Sequence, residues 1–433
     1  MLDIAYIREH PEEVQEAADN KLVDVSVADL LEMDKKRRAL QSTVDDLNAQ
    51  RNELAKNLTG GKPSEEIIAQ GKALKEQAAR AEGGWREVNN DFLSEMRRLP
   101  NIPTSDTPVG KEEAGNVVQR EVGVKPTFSF EPKPHWELGA ALGIIDSETA
   151  GEVAGSRFTY LKGPLAFLQL ALTKWVIDTL TNEDTLGEIA RNAGLEVSGR
   201  AFVPVIPPHM IRPEIMDEMA RLEPRDERYH IPSDDVYLIG SAEHTLGPLH
   251  RHKTLPASDL PLRYAGISPA YRREAGSHGK DVRGILRLHQ FDKVEMEVFS
   301  TPEQSMGEHL FLVAIQEYFM QQLKLPYQVV LKCTGDMGTP NARAVDIETW
   351  MPAEAEYRET HTADLMTDYQ ARRLRTRVSS KEGSVFAHMN DATAMAMGRT
   401  LIAIMENYQQ EDGSITIPDV IRPYLPFSNI TGA

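Results

Sequence analysis

The sequence predicts an α+β protein with a long antiparallel helical hairpin, a coiled-coil arm, at its N-terminus and a larger domain on an antiparallel β-sheet flanked by helices. Three observations predict it. Apolar residues recur at helical spacing through residues 30–58 and again through 67–92. A proline-rich, small and charged stretch follows them, NIPTSDTPVGKEEAGNVV. Beyond about Trp136, apolar runs of strand length are interspersed with helical ones, the pattern of sheet and helices in one domain.

The first helix carries Leu30, Met33, Leu40, Val44, Leu47, Leu54 and Leu58 on one stripe, with Arg37 and Arg51 in its two vacant positions. Thr59-Gly60-Gly61-Lys62-Pro63 cannot continue it, and Ser64 is placed to cap a second helix. That helix carries Ile67, Leu74, Ala78, Ala81, Trp85, Val88 and Phe92 until Leu99-Pro100 ends it, and Gly83-Gly84 are expected to soften its middle. At helical rise each arm is roughly 50 Å long, well beyond the usual globular helix. Lys35, Lys36, Arg37, Arg38, Arg51 and Lys56 make its face basic within an acidic chain; this suits phosphate and is equally an ordinary solvated face.

The domain boundary is expected in the proline-rich stretch, giving 1–110 and 111–433. In the second domain the pattern predicts helices at Ala166–Leu180, Glu303–Leu323 and Ala394–Tyr408. Strands are expected at Phe202–Ile206, Asp235–Ile239, Leu262–Ser268 and Lys293–Phe299.

Composition excludes several classes. A net charge of −18 over 433 residues argues against a protein that coats nucleic acid non-specifically, while leaving room for a local basic patch. One cysteine, Cys333, permits no intrachain disulfide and no cysteine-rich zinc site. His278, His289 and His361 match no zinc spacing. The N-terminal MLDIAYIREHPEEVQEAAD lacks the order of a secretory signal, and no run of about 18 apolar residues occurs, so no membrane partner and a cytoplasmic location are expected.

The most informative stretch is AYRREAGSHGKDVRGILRLHQFDKVEMEVF. Two extended apolar edges enclose a loop with Arg272, Lys280, Arg283 and Arg287 for charge and Gly276, Gly279 and Gly284 for close backbone approach. Such a loop can fold over a polyphosphate, although it lacks the P-loop order; an exposed basic hairpin fits the same residues.

Tyr271-Arg272-Arg273-Glu274-Ala275-Gly276 and His289-Gln290-Phe291-Asp292-Lys293-Val294-Glu295 together resemble motif 2 of the seryl-tRNA synthetases, which are class II aminoacyl-tRNA synthetases. The resemblance covers nearly the whole chain, from LDIAYIREHPEEV through GSRFTYLKG to ENYQQEDGSITIPDVIRPYL. It implies a class II catalytic domain of the bacterial type that uses ATP with Mg²⁺, and an arm that grips the long variable arm of tRNA(Ser), with tRNA(Sec) as a further acceptor. Phe202–Pro208 resembles motif 1, which implies a homodimer.

The resemblance also assigns roles. Arg272 and Arg399 become the catalytic residues, on the α-phosphate and the terminal phosphate of ATP. Glu274 holds the adenine amino group and Phe291 stacks on the base; Arg273, Glu359, Thr360, His361 and Thr362 complete the ATP site, and Glu359 with Thr362 holds Mg²⁺. Ser241-Ala242-Glu243, Glu295 and Thr393 contact the substrate serine.

Departures from the family pattern cluster at His361, Ala363, Asp364, Leu365 and Met366, where small and polar residues are usual, and at Asp391, where asparagine is common. Leu365 and Met366 are expected to repack the pocket wall, and Asp391 to alter substrate contacts or add an ammonium partner. Two rivals remain: a paralogue that loads a small amino acid onto a carrier protein, and a catalytically silent tRNA-binding protein. The retained arm weighs against the first, and Arg272, Glu274, Phe291, Glu295 and Arg399 together weigh against the second.

Overall fold

The computed structural model describes residues 1–56, 64–275, 283–381 and 383–432. It divides into two compact units, 1–102 and 103–433.

In the first unit, two short helices, Ile4–Glu9 and Pro11–Asn20, precede α1 (Val27–Lys56) and α2 (Glu65–Arg98). The Ser64 hydroxyl accepts from the Ile67 N–H at 3.3 Å, which satisfies one of the open donors of the first turn of α2. The reversal at 57–63 lies outside the described residues. Gly71 faces Leu54 and Phe92 faces Arg37, so the helices run antiparallel. α2 continues unbroken through Gly83-Gly84: half-buried neighbours on the stripe hold it despite the propensity cost of glycine.

Arg37 does not belong to the basic face. Its guanidinium lies 4.6 Å above the Phe92 ring and 2.8 Å from the buried Asp34, which also binds Arg8 and Arg38. Lys35, Lys36, Arg38, Arg51 and Lys56 remain exposed.

The second unit is built on an eight-stranded sheet. Its strands in chain order are β1 (Val117–Val122), β2 (Val203–Val205), β3 (Leu262–Tyr271), β4 (Gln290–Ser300), β5 (Tyr327–Leu331), β6 (Arg343–Met351), β7 (Glu356–Thr367) and β8 (His388–Ala396). They lie side by side as β1-β5-β6-β7-β8-β4-β3-β2. Every pairing is antiparallel except β2 with β3, so the run expected at Phe202–Ile206 forms a short parallel edge strand. Residues 103–110 belong to this unit, where the Thr104 N–H donates to the Ala342 carbonyl at 2.9 Å.

Helices α3 (Pro164–Leu180), α4 (Ser305–Gln322) and α5 (Met397–Asn407) pack with the apolar side of the sheet in one core that includes Val294, Met296, Val298, Val345, Ile347, Ala363 and Ala392. Arg263 of β3 fixes α4 through a bidentate ion pair to Glu308, both fully buried. The helix expected from Ala394 starts three residues later, because Ala394–Ala396 form the end of β8, where Met395 and Ala396 pair with β4.

Candidate active site

The opposite face of the sheet is polar, and strand alternation puts it there. On β4, Val294, Met296 and Val298 enter the core, so Phe291, Lys293, Glu295 and Glu297 share the other face. The strand thus runs from an aromatic end to a carboxylate end, with Lys293 between.

A bulge performs the same sorting on β7. Asp346 pairs with Thr362, Ile347 with His361 and Glu348 with Glu359, which leaves Thr360 as the extra residue. Glu359 and Thr362, three apart, would otherwise face opposite ways; the bulge brings both to one cleft. Arg272, Glu274, Arg287, Phe291, Lys293, Thr360, Thr393 and Arg399 also line that cleft.

Arg272 follows β3 and lies over Phe291, with 5.4 Å from guanidinium carbon to ring centre; its Nε–H donates to the Gly240 carbonyl at 3.3 Å. Glu274, in a left-handed backbone conformation (φ 52°), pairs with Arg287 at 2.7 Å. Arg399 stands in the first turn of α5, whose open N–H groups favour an anion, and its Nη1 lies 3.3 Å from Glu359. Burial would raise the Glu359 carboxyl, but Arg399, Lys332, Arg272 and Lys293 outweigh it and hold the group below its ordinary value.

The end of the basic loop rests on a residue that nothing in the local pattern marks. His135 accepts the Ile285 N–H at 3.1 Å through Nε2, and its Nδ1 meets Glu406 at the same distance. Gly284 (φ 72°) makes this approach possible, since a Cβ there would fall 2.0 Å from the His135 ring. The glycine accommodates a histidine instead of a phosphate. Gly276, His278, Gly279 and Lys280 lie outside the described residues.

Beyond Lys293 the groups are buried. Ser241 donates to Glu295 at 3.0 Å, and the Lys293 ammonium contacts both. Ala242 touches the sheet where Gly266 has no side chain, its Cβ 2.7 Å from where a Gly266 Cβ would stand; this seats the one-turn helix Glu243–Leu246. Glu243 pairs with Arg221 at 2.7 Å. Burial opposes ionisation of Glu243, yet Arg221 and three further cationic or basic neighbours bring it down to about 2. Neighbouring His244 is pushed down to about 3, chiefly by burial. Thr393 lies across from Glu295, at a second bulge that leaves Ala394 unpaired.

Two of the residues expected at the ATP site lie off the cleft wall. Arg273 is exposed and is not part of the cleft wall; its N–H donates to the Glu227 carbonyl. His361 points to the core side of β7, fully buried, because the bulge turns Thr360 and Thr362 to the cleft in its place; burial pushes it down to about 3. Thr360 reaches the cleft, but its hydroxyl is engaged by the Ile347 carbonyl (3.1 Å) and Thr349 (2.8 Å). Leu365 and Met366 are buried. Lys293 and Arg221 escape sequence reasoning: alternation flags Lys293, whereas Arg221 comes from a loop brought in by tertiary packing.

Residues 1–103 match the family model described as the seryl-tRNA synthetase N-terminal domain, and 228–408 match that of the class II tRNA synthetase core domain (G, H, P, S and T). A protein named serine–tRNA ligase from Petrotoga mobilis is 39% identical, over 98% of this chain and 99% of its own. The chain belongs to the seryl-tRNA synthetase family. Solved members resemble it over their length. A seryl-tRNA synthetase from Pyrococcus horikoshii, in complex with ATP, gives a TM-score of 0.88 at 34% identity and covers both chains fully. A cytoplasmic serine–tRNA ligase from Naegleria fowleri, in complex with AMP, gives 0.86 at 28%, covering 100% of this chain and 99% of the other. The sheet, the arm helices and the cleft described above are thus the seryl-tRNA synthetase fold, and no described helix is long and apolar enough to cross a membrane.

Proposed function

We propose that this chain activates L-serine with ATP to seryl-adenylate and transfers the seryl group to the 3′ end of tRNA(Ser), with tRNA(Sec) as a further acceptor. The observation that carries it is the polarity of β4: Phe291 and Arg272 at the cleft, Lys293 on its wall, and Ser241, Glu243 and Glu295 immediately behind.

In the first step the serine carboxylate attacks the α-phosphorus and diphosphate leaves. The nucleophile is already ionised, so the chemistry needs no general base and no covalent enzyme intermediate. Arg272 is suited to the charge that grows on the α-phosphate, and Arg399 with the N-terminus of α5 to the terminal phosphate. Phe291 offers a face to adenine and Glu274 an acceptor to its amino group. Glu243 and Glu295 suit the ammonium of serine, and Ser241 and Thr393 suit its polar groups. In the second step a 3′-terminal ribose hydroxyl attacks the acyl carbon and AMP leaves.

Glu359 and Thr362 offer oxygen donors from one face of β7, the kind Mg²⁺ takes alongside substrate phosphates, and Glu359 keeps about half its side chain exposed (47%). The ion would neutralise phosphate charge there. Lys35, Lys36, Arg38, Arg51 and Lys56 give the arm a cationic face for the variable arm of the tRNA. Exposed Val203, Ile206 and Met210 around the parallel edge strand support a homodimer. The reaction is assigned to the cytoplasm.

Serine-dependent ATP–diphosphate exchange, followed by charging of a tRNA with a long variable arm, tests the reading. Both are expected, and deletion of residues 27–99 should weaken charging while sparing exchange. Absence of exchange with serine would overturn the assignment.

A further inference from the structure

Three neighbouring strands place carboxylates side by side at the inner end of the cleft. Asp391 of β8 stands opposite Glu297 of β4 on one side and Asp364 of β7 on the other. The row crosses one face of the sheet, and its members are only 1%, 2% and 7% exposed for Glu297, Asp391 and Asp364. Like charges directly opposite one another destabilise a sheet, and buried carboxylates are costly without partners. Two register steps from Glu297, Glu295 lies on the same face, and oxygens of Glu243, Glu295 and Asp391 lie within 4.8 Å of one another.

The cations at hand are fewer than the acids. Arg221 reaches Glu243 at 2.7 Å, Asp391 at 3.5 Å and Asp364 at 3.8 Å, and Lys293 pairs with Glu295. Four of these five carboxylates therefore form ion pairs with two basic side chains and Glu297 with neither, while Arg272 and Lys332 act from farther off on Glu243 and Asp364. Among the described residues, Glu295 Oε1 and Glu297 Oε2 are buried with no hydrogen-bond partner. The cluster adjoins the cleft, because Lys293 and Thr393 line the cleft and Glu295 pairs with Thr393.

Serine enters as a zwitterion of zero net charge and leaves this surplus untouched. We propose that the amino-acid end of the site also accepts small L-amino acids carrying a second ammonium on the β-carbon, of the 2,3-diaminopropionate kind, with Asp391 and its row neighbours determining that specificity. An ammonium replaces the serine hydroxyl one heavy atom for one, brings a positive charge, and donates only, which suits surroundings that mostly accept. A divalent ion is the poorer occupant, since Arg221 and Lys293 already bring positive charge to the same carboxylates. Burial and the neighbouring carboxylates push Glu297 and Asp391 well above the usual carboxylate range, so without a further cation they tend to hold protons, which an incoming ammonium would displace. The inference rests on the proposed function in placing the amino acid beside Glu243 and Glu295.

The test is ATP–diphosphate exchange by the full chain with L-serine, L-2,3-diaminopropionate, L-alanine and glycine. The expected result is a kcat/KM for diaminopropionate at least tenfold above that for alanine. Asp391→Asn and Asp364→Ser should each lower the diaminopropionate-to-serine ratio of kcat/KM by tenfold or more; a ratio read within one protein is insensitive to the folded fraction. Diaminopropionate no better than alanine overturns the proposal whatever serine does, and a ratio unchanged in both variants overturns the role of the row. Exchange with diaminopropionate but not serine would uphold the pocket and sink the serine assignment; exchange with neither sinks both.

Discussion

Arg399 shows how much one side chain organises here. It closes on Glu359 at 3.3 Å from the first turn of a helix, and so couples a charge that suits phosphate to the carboxylate suited to a metal ion. Removing one preorganised charge of this kind costs about 10²–10³-fold in rate. Arg399→Ala is accordingly expected to slow serine-dependent exchange by that factor and raise the KM for ATP; a change under about threefold would show that the terminal phosphate is held elsewhere. Residues of this sort were legible in the chain because their neighbours carry a motif. Arg221 and His135 were not, since their partners Glu243 and Glu406 stand 22 and 271 positions away. Arg37 misled for a related reason: a guanidinium reads as surface charge until Phe92 and Asp34 are seen to enclose it.

At the scale of elements, registry decides function. The bulge at Thr360 is what lets Glu359, Thr362 and Asp364 share a face while His361 and Ala363 turn to the core. Deleting Thr360 would restore strict alternation and turn one side of the strand over, either Glu359 or Thr362 with Asp364. The deletion is expected to abolish exchange, whereas Thr360→Ala, which keeps the residue count, costs about 1–3 kcal/mol in stability from the lost buried hydroxyl contacts. Comparable activity of the two variants in the same exchange assay would refute this account of the bulge. Helical periodicity announced α1 and α2 plainly, as did the Ser64 cap. No periodicity announces a bulge, because an extra residue shows only against the partner strand; the same gap in information placed the start of α5 three residues early, where Ala394–Ala396 satisfy both patterns.

For the whole molecule, buried titratable groups set the response to pH. His244, His309 and His361 are each pushed down to about 3, burial being the largest cause in all three. Their folded values lie below the ordinary 6.5, so the unfolded chain takes up the extra protons. The stability they lend is complete above about pH 6.5 and is lost as pH falls toward 3, by up to about 4 kcal/mol per pH unit when all three titrate together. Urea unfolding of the catalytic unit between pH 7 and 5 should show the midpoint falling, and His309→Gln, far from any substrate role, should reduce the slope. A midpoint that rises across that range would contradict the sign.

Fold class, arm, cleft motifs and family were therefore written in the order of residues along the chain, since helix periodicity, strand alternation, caps and short motifs are local properties. Which charges share a pocket depended on strand registry and loop packing, and no local pattern encodes those. Asp391 and Asp364 read along the chain as scattered departures; across β4, β8 and β7 they become a buried row with Glu297, because neighbours in a sheet are chosen by pairing and not by proximity in sequence.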